Sequence, residues 1–166
     1  MLTTERLLLR KPTAADVEQP PAFLSDPEVM RWLGGIDDPR VVVQRWLDDW
    51  DRFPVGKLLA ELPDGGTVVG RFGINFFDPT TWERSADADA QPELGWAVAR
   101  EHWGKGFATE AAAAVRDWFG ADAGLISLIA PDNLRSQRVA ERLGARPTET
   151  VELPDGGPHL VWVHPQ

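Results

Sequence analysis

The feature that most constrains the fold of this chain is a glycine-containing loop between an apolar run and an alanine-rich segment. Residues 93–98 (ELGWAV) form the run, residues 103–111 (WGKGFATEA) contain the loop, and residues 111–119 are typical of a helix. A helix N-terminus offers unpaired N–H groups and about half a positive charge, and glycine lets an anion approach the backbone closely. The order predicts a strand, a phosphate-binding loop and a helix, although a tight turn alone would give the same pattern.

A second segment, residues 133–145 (NLRSQRVAERLGA), supports the phosphate-binding interpretation. It follows a short strand-like run, residues 125–130, and is typical of a helix that ends at Gly144. Asn133 and Ser136 lie one helical turn apart and can therefore face the same ligand. Together the two blocks resemble the GCN5-related N-acetyltransferase (GNAT) superfamily, whose members transfer an acyl group from coenzyme A to an amine.

More narrowly, the chain resembles the ribosomal-protein N-acetyltransferase branch of that superfamily, the RimJ/RimL type. Residues 4–10 (TERLLLR) are similar to the first strand of that branch, and the resemblance spans nearly all 166 residues. It implies an N-acetyltransferase with acetyl-CoA as co-substrate and a primary amine as acceptor, on a small molecule or a protein N-terminus. The amine would attack acetyl-CoA directly, without a covalent enzyme intermediate. A homodimer is also compatible with the resemblance.

Apolar patterning and turn signals predict the same fold class. Strand-like runs cover residues 6–10, 57–62, 67–77, 93–99, 125–130, 148–153 and 159–164, with Pro-Asp-Gly-Gly turns at 63–66 and 154–157. Asp26-Pro27 and Asp38-Pro39 predict capped helices over residues 27–33 and 39–53, and Pro20-Pro21 breaks an earlier helical segment. We therefore expect one GNAT-like α/β domain over residues 1–166, with a mixed, mostly antiparallel central sheet of about seven strands flanked by helices.

Composition excludes several classes of function. The net charge of −9 argues against nonspecific nucleic-acid binding; it favours a cationic substrate, although solubility alone also accounts for it. The chain has no cysteine and only three scattered histidines, so neither disulfides nor a metal site are expected. No apolar run reaches the ~20 residues of a membrane span, and the N-terminus lacks a signal-peptide pattern. A cytoplasmic protein without membrane contact is expected.

The resemblance assigns the acyl donor to the glycine loop and the second helix. Backbone N–H groups from Gly104 to Ala108 would cradle the pyrophosphate, with Lys105 as a flanking charge. Basic residues near the loop (Arg100, His102) and along the second helix (Arg135, Arg138, Arg142) suit a polyanion. The predicted donor-binding residues are Val98, Trp103, Gly104, Lys105, Gly106, Phe107, Ala108, Thr109, Asn133, Ser136 and Arg138.

Catalysis requires a base, because an alkylammonium with a pKa near ~10.4 must lose a proton before it can attack. Glu93 is the leading candidate, and an exposed strand-end carboxylate is its alternative interpretation. Glu61 and Glu83 are less specific candidates, and Glu110 is assigned a structural role such as capping. The N–H of Val98 is the predicted donor to the developing oxyanion, where such a group contributes about 3 kcal/mol.

The leaving thiolate and the acceptor pocket complete the predicted site. Many members of the superfamily protonate the thiolate with a tyrosine; this chain has no tyrosine, so Ser136 is interpreted as a hydrogen-bond donor to sulfur. Trp32, Trp46 and Trp50 are predicted to line the acceptor pocket, with core packing as the alternative. Two alternative functions remain open: use of another acyl donor such as succinyl-CoA, and a noncatalytic acyl-CoA-binding protein.

Overall fold

The computed structural model describes residues 1–35, 38–120, 123–154 and 156–165. Within these residues, eight strands form one sheet in the order β1-β2-β3-β4-β5-β6-β8-β7. Every neighbouring pair is antiparallel except β5 and β6, which are parallel. The bounds are β1 Leu2–Thr3, β2 Leu8–Arg10, β3 Lys57–Glu61, β4 Val68–Phe77, β5 Gln91–Val98, β6 Ile126–Ile129, β7 Arg146–Leu153 and β8 Gly157–Val163.

The mixed α/β fold predicted from the sequence is confirmed, with one strand more than expected. The additional strand is β1, which pairs with β2 through two residues only. A two-residue strand is too short to show the alternation of apolar and polar residues by which strands are recognised in a sequence. The predicted turn at 154–157 includes residue 155, which lies outside the described residues.

Five α-helices accompany the sheet in the described part of the chain: α1 Ala14–Glu18, α2 Pro27–Met30, α3 Pro39–Arg52, α4 Phe107–Phe119 and α5 Leu134–Arg142. The predicted break at Pro20-Pro21 separates α1 from a one-turn 3₁₀ helix, Ala22–Ser25. Both predicted aspartate caps are confirmed, since Asp26 and Asp38 accept hydrogen bonds from N–H groups of the first helical turn. None of these helices has the length and apolarity needed to cross a bilayer.

The helices cover the two faces of the sheet with separate apolar clusters. On one face α4 packs through Ala111, Ala112 and Val115, which are fully buried, against strand residues that include Phe72 and Leu94. Small alanine side chains let the helix approach the sheet closely. On the opposite face, α2 and α3 pack their own cluster against the sheet: Met30, Val43, Trp46, Leu59 and Ala97. The sheet is therefore held between two layers, each burying apolar surface worth ~25 cal/mol per Å².

The sheet opens between β5 and β6. These strands share one register pair, Glu93 with Ile126, whereas β4 and β5 stay paired as far as Gly70 and Val98. Ala99 N–H donates to the Val69 carbonyl, and hydrogen bonds alternate along an antiparallel pair. The N–H of Val98 therefore points away from β4, into the gap. A wedge with a free backbone donor lies at the centre of the sheet.

Glu110, on the first turn of α4, fastens the N-terminal segment to this helix. Its carboxylate accepts hydrogen bonds from Thr4 Oγ1 (2.5 Å), Arg6 N–H (2.9 Å) and Arg6 Nε (2.7 Å). Burial alone would raise the pKa of Glu110, but the hydrogen bonds from Thr4 and Arg6 lower it below its usual value. Glu110 therefore has a structural role, which is to hold together two parts of the chain that are distant in sequence. It does not cap α4, whose N-cap residue is Gly106.

His164 makes the fold sensitive to acid. It is 4% exposed, and its Nε2 lies 2.9 Å from Ser127 Oγ, whose hydroxyl donates to the Leu94 carbonyl. Nε2 must then carry the hydrogen, and Nδ1 is buried without a partner in the described residues. Burial, with the charge of Arg116, lowers the pKa of His164 to about 4. The folded state therefore resists protonation of this ring.

We expect the free energy of unfolding to fall as pH decreases from 6.5 to 4. Over this interval unfolded His164 binds a proton that the folded protein does not bind, so stability present above pH 6.5 is lost. The loss should reach roughly 2 kcal/mol, allowing for partial solvent screening. Urea unfolding at pH 7.5 and 4.5 would measure this loss of stability. The variant His164→Gln should lose this part of the pH dependence, whereas the control variant His159→Gln should keep it. Equal pH dependence in the wild type and His164→Gln would contradict the assignment.

Candidate functional site

A cleft of about 1240 Å³ occupies the wedge between β5 and β6. The start of α4 and one side of α5 line it, together with residues 29, 31–34 and 82–84. The cleft brings together most of the residues predicted from the sequence: Trp32, Glu93, Val98, Trp103, Gly104, Gly106, Phe107, Ala108, Thr109, Asn133, Ser136 and Arg138. The donor loop and the candidate base thus line one continuous space.

The glycine loop has the conformation of an anion-binding site. Gly104 and Gly106 adopt φ of 77° and 84°, a left-handed backbone that disfavours other residues, and Gly106 caps α4. The N–H groups of Phe107, Ala108 and Thr109 therefore begin a helix and lack intrahelical acceptors. Thr109 Oγ1 is also buried without a hydrogen-bond partner in the described residues. These donors would be satisfied by the phosphate oxygens of a bound coenzyme A.

Trp103 connects this loop to the end of β5. Its indole N–H donates to the Val98 carbonyl over 2.7 Å, and the Arg135 guanidinium lies 4.0 Å from the ring centroid. Trp103 thereby holds the loop beside the open edge of β5 and carries a cation over its face. The sequence assigned it to the donor site without indicating this bracing contact.

Lys105 differs from the other predicted loop residues, because it does not line the cleft. It is exposed; its Nζ lies 3.4 Å from His102 Nδ1, and its carbonyl accepts a hydrogen bond from Arg6. The two glycines that flank it are the loop residues with left-handed backbone, and Lys105 lies outside the cleft between them. The flanking charge assigned to Lys105 stays a prediction, and the arginines that line the cleft lie on α5.

The N-terminus of α5 forms the other basic wall. Asn133 caps the helix, with its Oδ1 accepting a hydrogen bond from Ser136 N–H over 3.2 Å. The cap sets the start of the helix, so that Ser136 and three arginines line the cleft: Arg135, Arg138 and Arg142. This local positive charge contrasts with the acidic chain as a whole and favours an anionic ligand.

At the other end of the cleft a set of polar side chains projects from the sheet. Glu93 of β5 pairs with Asn75 of β4, and Lys57 of β3 pairs with Gly73, two residues before Asn75. Because alternate residues of a strand share a face, these side chains and Arg71 project toward α3. We call the following residues the charged cluster: Asp49, Lys57, Arg71, Asn75, Arg84 and Glu93.

Hydrogen bonds and ion pairs connect most of the charged cluster. Asn75 Nδ2 donates to Glu93 Oε2 over 2.6 Å, and Asn75 Oδ1 accepts from Lys57 Nζ and from Arg84 Nη1 (3.0 Å). Asp49 lies 3.3 Å from Lys57 Nζ and 3.1 Å from Arg84 Nη2. Burial, with the charges of Arg84 and Arg71, lowers the pKa of Lys57 to about 7. The amide of Asn75 thus fixes the orientation of the Glu93 carboxylate.

Glu93 itself is 6% exposed, so it is not a solvated carboxylate at a strand end. Its side chain lies on the face opposite Leu94, as its phase in the strand predicted. A buried carboxylate that lines a ligand cleft and is oriented by an amide has the placement of a general base. The register brings it to the one point where β5 still pairs with β6.

The three tryptophans predicted for an acceptor pocket occupy different environments. Trp32 lines the cleft, whereas Trp46 is 7% exposed and lines a smaller neighbouring cavity as part of the apolar cluster. Trp50 lines neither space: its indole N–H donates to the Lys57 carbonyl over 2.9 Å, and Lys11 Nζ lies 3.8 Å from its ring centroid. The structure therefore does not bring Trp50 to the cleft, and its hydrogen bond fastens α3 to β3.

The contacts of the other candidate carboxylates distinguish them from Glu93. Glu61 forms an ion pair with Arg10 over 2.6 Å and does not line the cleft. Glu83 lines the cleft, near Arg84 in the chain, but does not belong to the charged cluster. Glu93 is therefore the carboxylate that combines burial, orientation and access to the cleft.

Of the charged cluster, only Glu93 was predicted from the sequence, and Asp49, Lys57, Arg71, Asn75 and Arg84 were not. Arg71 and Asn75 are the two polar residues of β4, which is otherwise apolar or glycine, and Lys57 begins β3, whose only other polar residue is Glu61. A polar residue in such a strand is a signal, because it must find a partner when it is buried. Only the strand register, however, shows that the three converge on Glu93.

Comparisons with known proteins agree with this arrangement. Residues 6–146 match the family model described as acetyltransferase (GNAT) domain. The uncharacterized protein YkkB of Bacillus subtilis (strain 168) is 32% identical over 164 residues, covering 90% of this chain and 87% of that protein. An acetyltransferase from Agrobacterium tumefaciens str. C58 is 34% identical, with a TM-score of 0.79 over 99% of this chain and 94% of that one.

A more distant solved structure shares the fold. It is the aminoglycoside acetyltransferase AAC(6')-Ib in complex with coenzyme A, which is 22% identical. Its TM-score is 0.78, and the match covers 96% of this chain and 95% of that one. Since the family model spans most of the chain, and two relatives exceed 30% identity over nearly its whole length, the protein belongs to the GNAT family of acetyltransferases.

Proposed function

We propose that this protein is an N-acetyltransferase that transfers the acetyl group of acetyl-CoA to a primary amine. The observation that supports this most strongly is the single cleft that joins the glycine loop to Glu93 past the open edge of β5. The two requirements of the reaction, a site for an anionic donor and a buried base for an ammonium acceptor, are met at opposite ends of this space. The distant relative bound to coenzyme A also supports the donor.

The donor is held by its phosphates and pantetheine arm. The first-turn N–H groups of α4, the hydroxyl of Thr109 and the α5 arginines bind the phosphates. The wedge between β5 and β6 takes the arm, and the N–H of Val98 donates to the thioester carbonyl oxygen. That hydrogen bond strengthens as negative charge develops on the oxygen, which is how a preorganised donor lowers a barrier by about 3 kcal/mol.

The acceptor reacts at the Glu93 end. Glu93 accepts a proton from the ammonium, and the neutral amine nitrogen attacks the carbonyl carbon of the thioester. The nitrogen–carbon bond forms, the carbon–sulfur bond breaks, and its electron pair leaves with the thiolate. Ser136 donates a hydrogen bond to that sulfur, and the second proton released by nitrogen converts the thiolate to a thiol. The products are an N-acetylated amine and coenzyme A.

Calorimetric titration with acetyl-CoA tests the donor site. We expect a dissociation constant in the micromolar range, weakened about tenfold in Arg138→Gln, because each charge-assisted contact to phosphate contributes roughly 1.5 kcal/mol. Arg40→Gln, on the exposed side of α3, is the control and should bind like the wild type. An absence of binding to folded protein would exclude coenzyme A as the ligand.

The same titration with succinyl-CoA tests the alternative donor. If succinyl-CoA binds more tightly and acetyl-CoA is not turned over with any amine, the enzyme is an acyltransferase of a different donor. If both bind and neither reacts, the noncatalytic acyl-CoA-binding protein is the better description. Acetylation of a peptide N-terminus, but of no small amine, would favour the ribosomal-protein type of acceptor that the RimJ/RimL resemblance implies.

A further inference from the structure

Arg71 is the one member of the charged cluster whose side chain makes no hydrogen bond or ion pair among the contacts described above. Its Nε and Nη1 atoms are shielded from solvent and have no hydrogen-bond partner in the described residues. Burial lowers the pKa of this guanidinium, and only the charge of Glu93 opposes that effect. Buried polar atoms without partners are uncommon in proteins and carry a cost, which a bound ligand can remove. Arg71 lines the cleft, and its third guanidinium nitrogen, Nη2, is not among the shielded atoms, so a ligand reaches the guanidinium from that side.

Arg71 and Glu93 meet at a point above Gly95. A Cβ placed on Gly95 would lie 3.0 Å from Arg71 Nη1 and 3.2 Å and 3.3 Å from the two oxygens of Glu93. Both charged groups thus lie close to Gly95, near enough to each other for one small ligand to contact both.

The balance of charge at this end favours an anion beside the amine. Two arginines, Arg71 and Arg84, and the partly charged Lys57, whose pKa burial lowers to about 7, face two carboxylates. One of these carboxylates, Asp49, contacts both Lys57 and Arg84. Glu93 receives its hydrogen bond from the neutral amide of Asn75. The positive charge of Arg71 is therefore available to a ligand, although the chain as a whole has a net charge of −9. A purely cationic acceptor such as a polyamine would be repelled by it.

We propose that the acceptor is an α-amino carboxylate: its ammonium group faces Glu93, and its carboxylate is bound by Arg71. In such a compound the two charged groups are attached to one carbon atom, and this short spacing suits the closeness of Arg71 and Glu93 near Gly95. The rest of the molecule lies against apolar residues that also line the cleft, Val29, Trp32, Leu33, Phe77 and Trp82. This inference rests on the proposed acetyltransferase function and names its substrate class.

Matched sets of amines test the role of the carboxylate. Release of thiol from acetyl-CoA would be measured with L-leucine, L-leucinamide and 3-methylbutylamine, with L-phenylalanine, L-phenylalaninamide and phenethylamine, and with spermidine. We expect kcat/KM for the two amino acids to exceed that of their amides and amines by at least about 100-fold, because the unmatched compounds leave a buried guanidinium unpaired. The amides are the less basic amines and would react faster if the carboxylate had no role.

Variants of this chain assign the effect to Arg71. In Arg71→Gln the kcat/KM for the amino acids should fall about 100-fold, mainly through KM, whereas the amides should change less than about threefold. Arg146→Gln, on the exposed strand β7, is the matched control and should keep the wild-type ratio. Gly95→Ala, which fills the meeting point, should impair turnover of every amine while leaving acetyl-CoA affinity unchanged. Thermal melting checks that each variant is folded.

The outcomes separate this inference from the proposed function. If an amide, a simple amine or spermidine reacts as fast as the amino acids, the inference is overturned and the acetyltransferase function stands. Binding of acetyl-CoA without turnover of any amino acid in the sets overturns it as well. If acetyl-CoA does not bind, the proposed function fails and the inference fails with it. The substrate comparison uses wild-type protein, so it remains decisive even if Arg71→Gln does not fold.

Discussion

Replacing Glu93 by glutamine is expected to lower kcat for acetyl transfer by about 100- to 10 000-fold. The glutamine keeps the size of the side chain and can still contact Asn75, but it cannot accept a proton from the ammonium. Because Glu93 lies at the acceptor end of the cleft, the affinity for acetyl-CoA should remain within about threefold of the wild type. Steady-state turnover with a saturating amine and titration with acetyl-CoA would measure the two effects separately.

The control for Glu93→Gln is the same replacement at a carboxylate that does not line the cleft. Glu149→Gln, on the exposed face of β7, removes the same charge and should leave kcat unchanged. Since a required ammonium deprotonation becomes easier as pH rises, the rate of Glu93→Gln should recover partly in alkaline solution. A variant with nearly full activity at neutral pH would show that Glu93 is not the base.

Replacing Gly70 by alanine is expected to destabilise the protein by about 3 to 5 kcal/mol. Gly70 of β4 lies opposite Val98, and a Cβ at this position would overlap the carbonyl oxygen of Ala97 and lie 3.0 Å from the Val98 Cα. Both atoms belong to the backbone, so no side-chain rotation relieves the contact. The added methyl group must push β5 away from β4 at the point where the N–H of Val98 enters the cleft.

Gly95→Ala is the matched comparison on the neighbouring strand. Its Cβ would meet side-chain atoms only, those of Arg71 and Glu93, and these can move by a few tenths of an ångström. We therefore expect its loss of stability to be at most half that of Gly70→Ala, as measured by urea unfolding. If the two variants unfold at the same urea concentration, backbone overlap at Gly70 is not the controlling contact.

Local signals explain what could be predicted from the sequence. The Asp-Pro pairs that begin α2 and α3, and the glycines before α4, act through atoms within a few residues of themselves. Such features need no knowledge of the rest of the fold, and the sequence pattern is enough to place them. The alternation in β5 likewise showed that Glu93 lies on the face opposite Leu94.

Distant contacts explain what could not be predicted. The burial of Glu93, the convergence of Lys57, Arg71 and Asn75, and the structural use of Trp50 all depend on the register of strands far apart in the chain. A slip by one residue would turn each strand side chain to the other face, and nothing within a single strand specifies the register. The charged cluster is therefore a property of the assembled sheet.

The single register pair between β5 and β6 also bears on how the chain assembles. Strands β1 to β5 form one set, in which β2, β3, β4 and β5 each pair with the strand that precedes them in the chain. Strands β6, β7 and β8 form a second set from residues 126–163. The paired strands of each set lie within one stretch of sequence. Most of the loop-closure entropy is therefore lost when the strands of a set pair with one another. Few backbone pairs join the two sets, so their association depends on α4, which follows the first set and precedes the second in the chain. We expect the two sets to form separately and to dock in the last step of folding, which makes the ligand cleft the most recently formed part of the native protein.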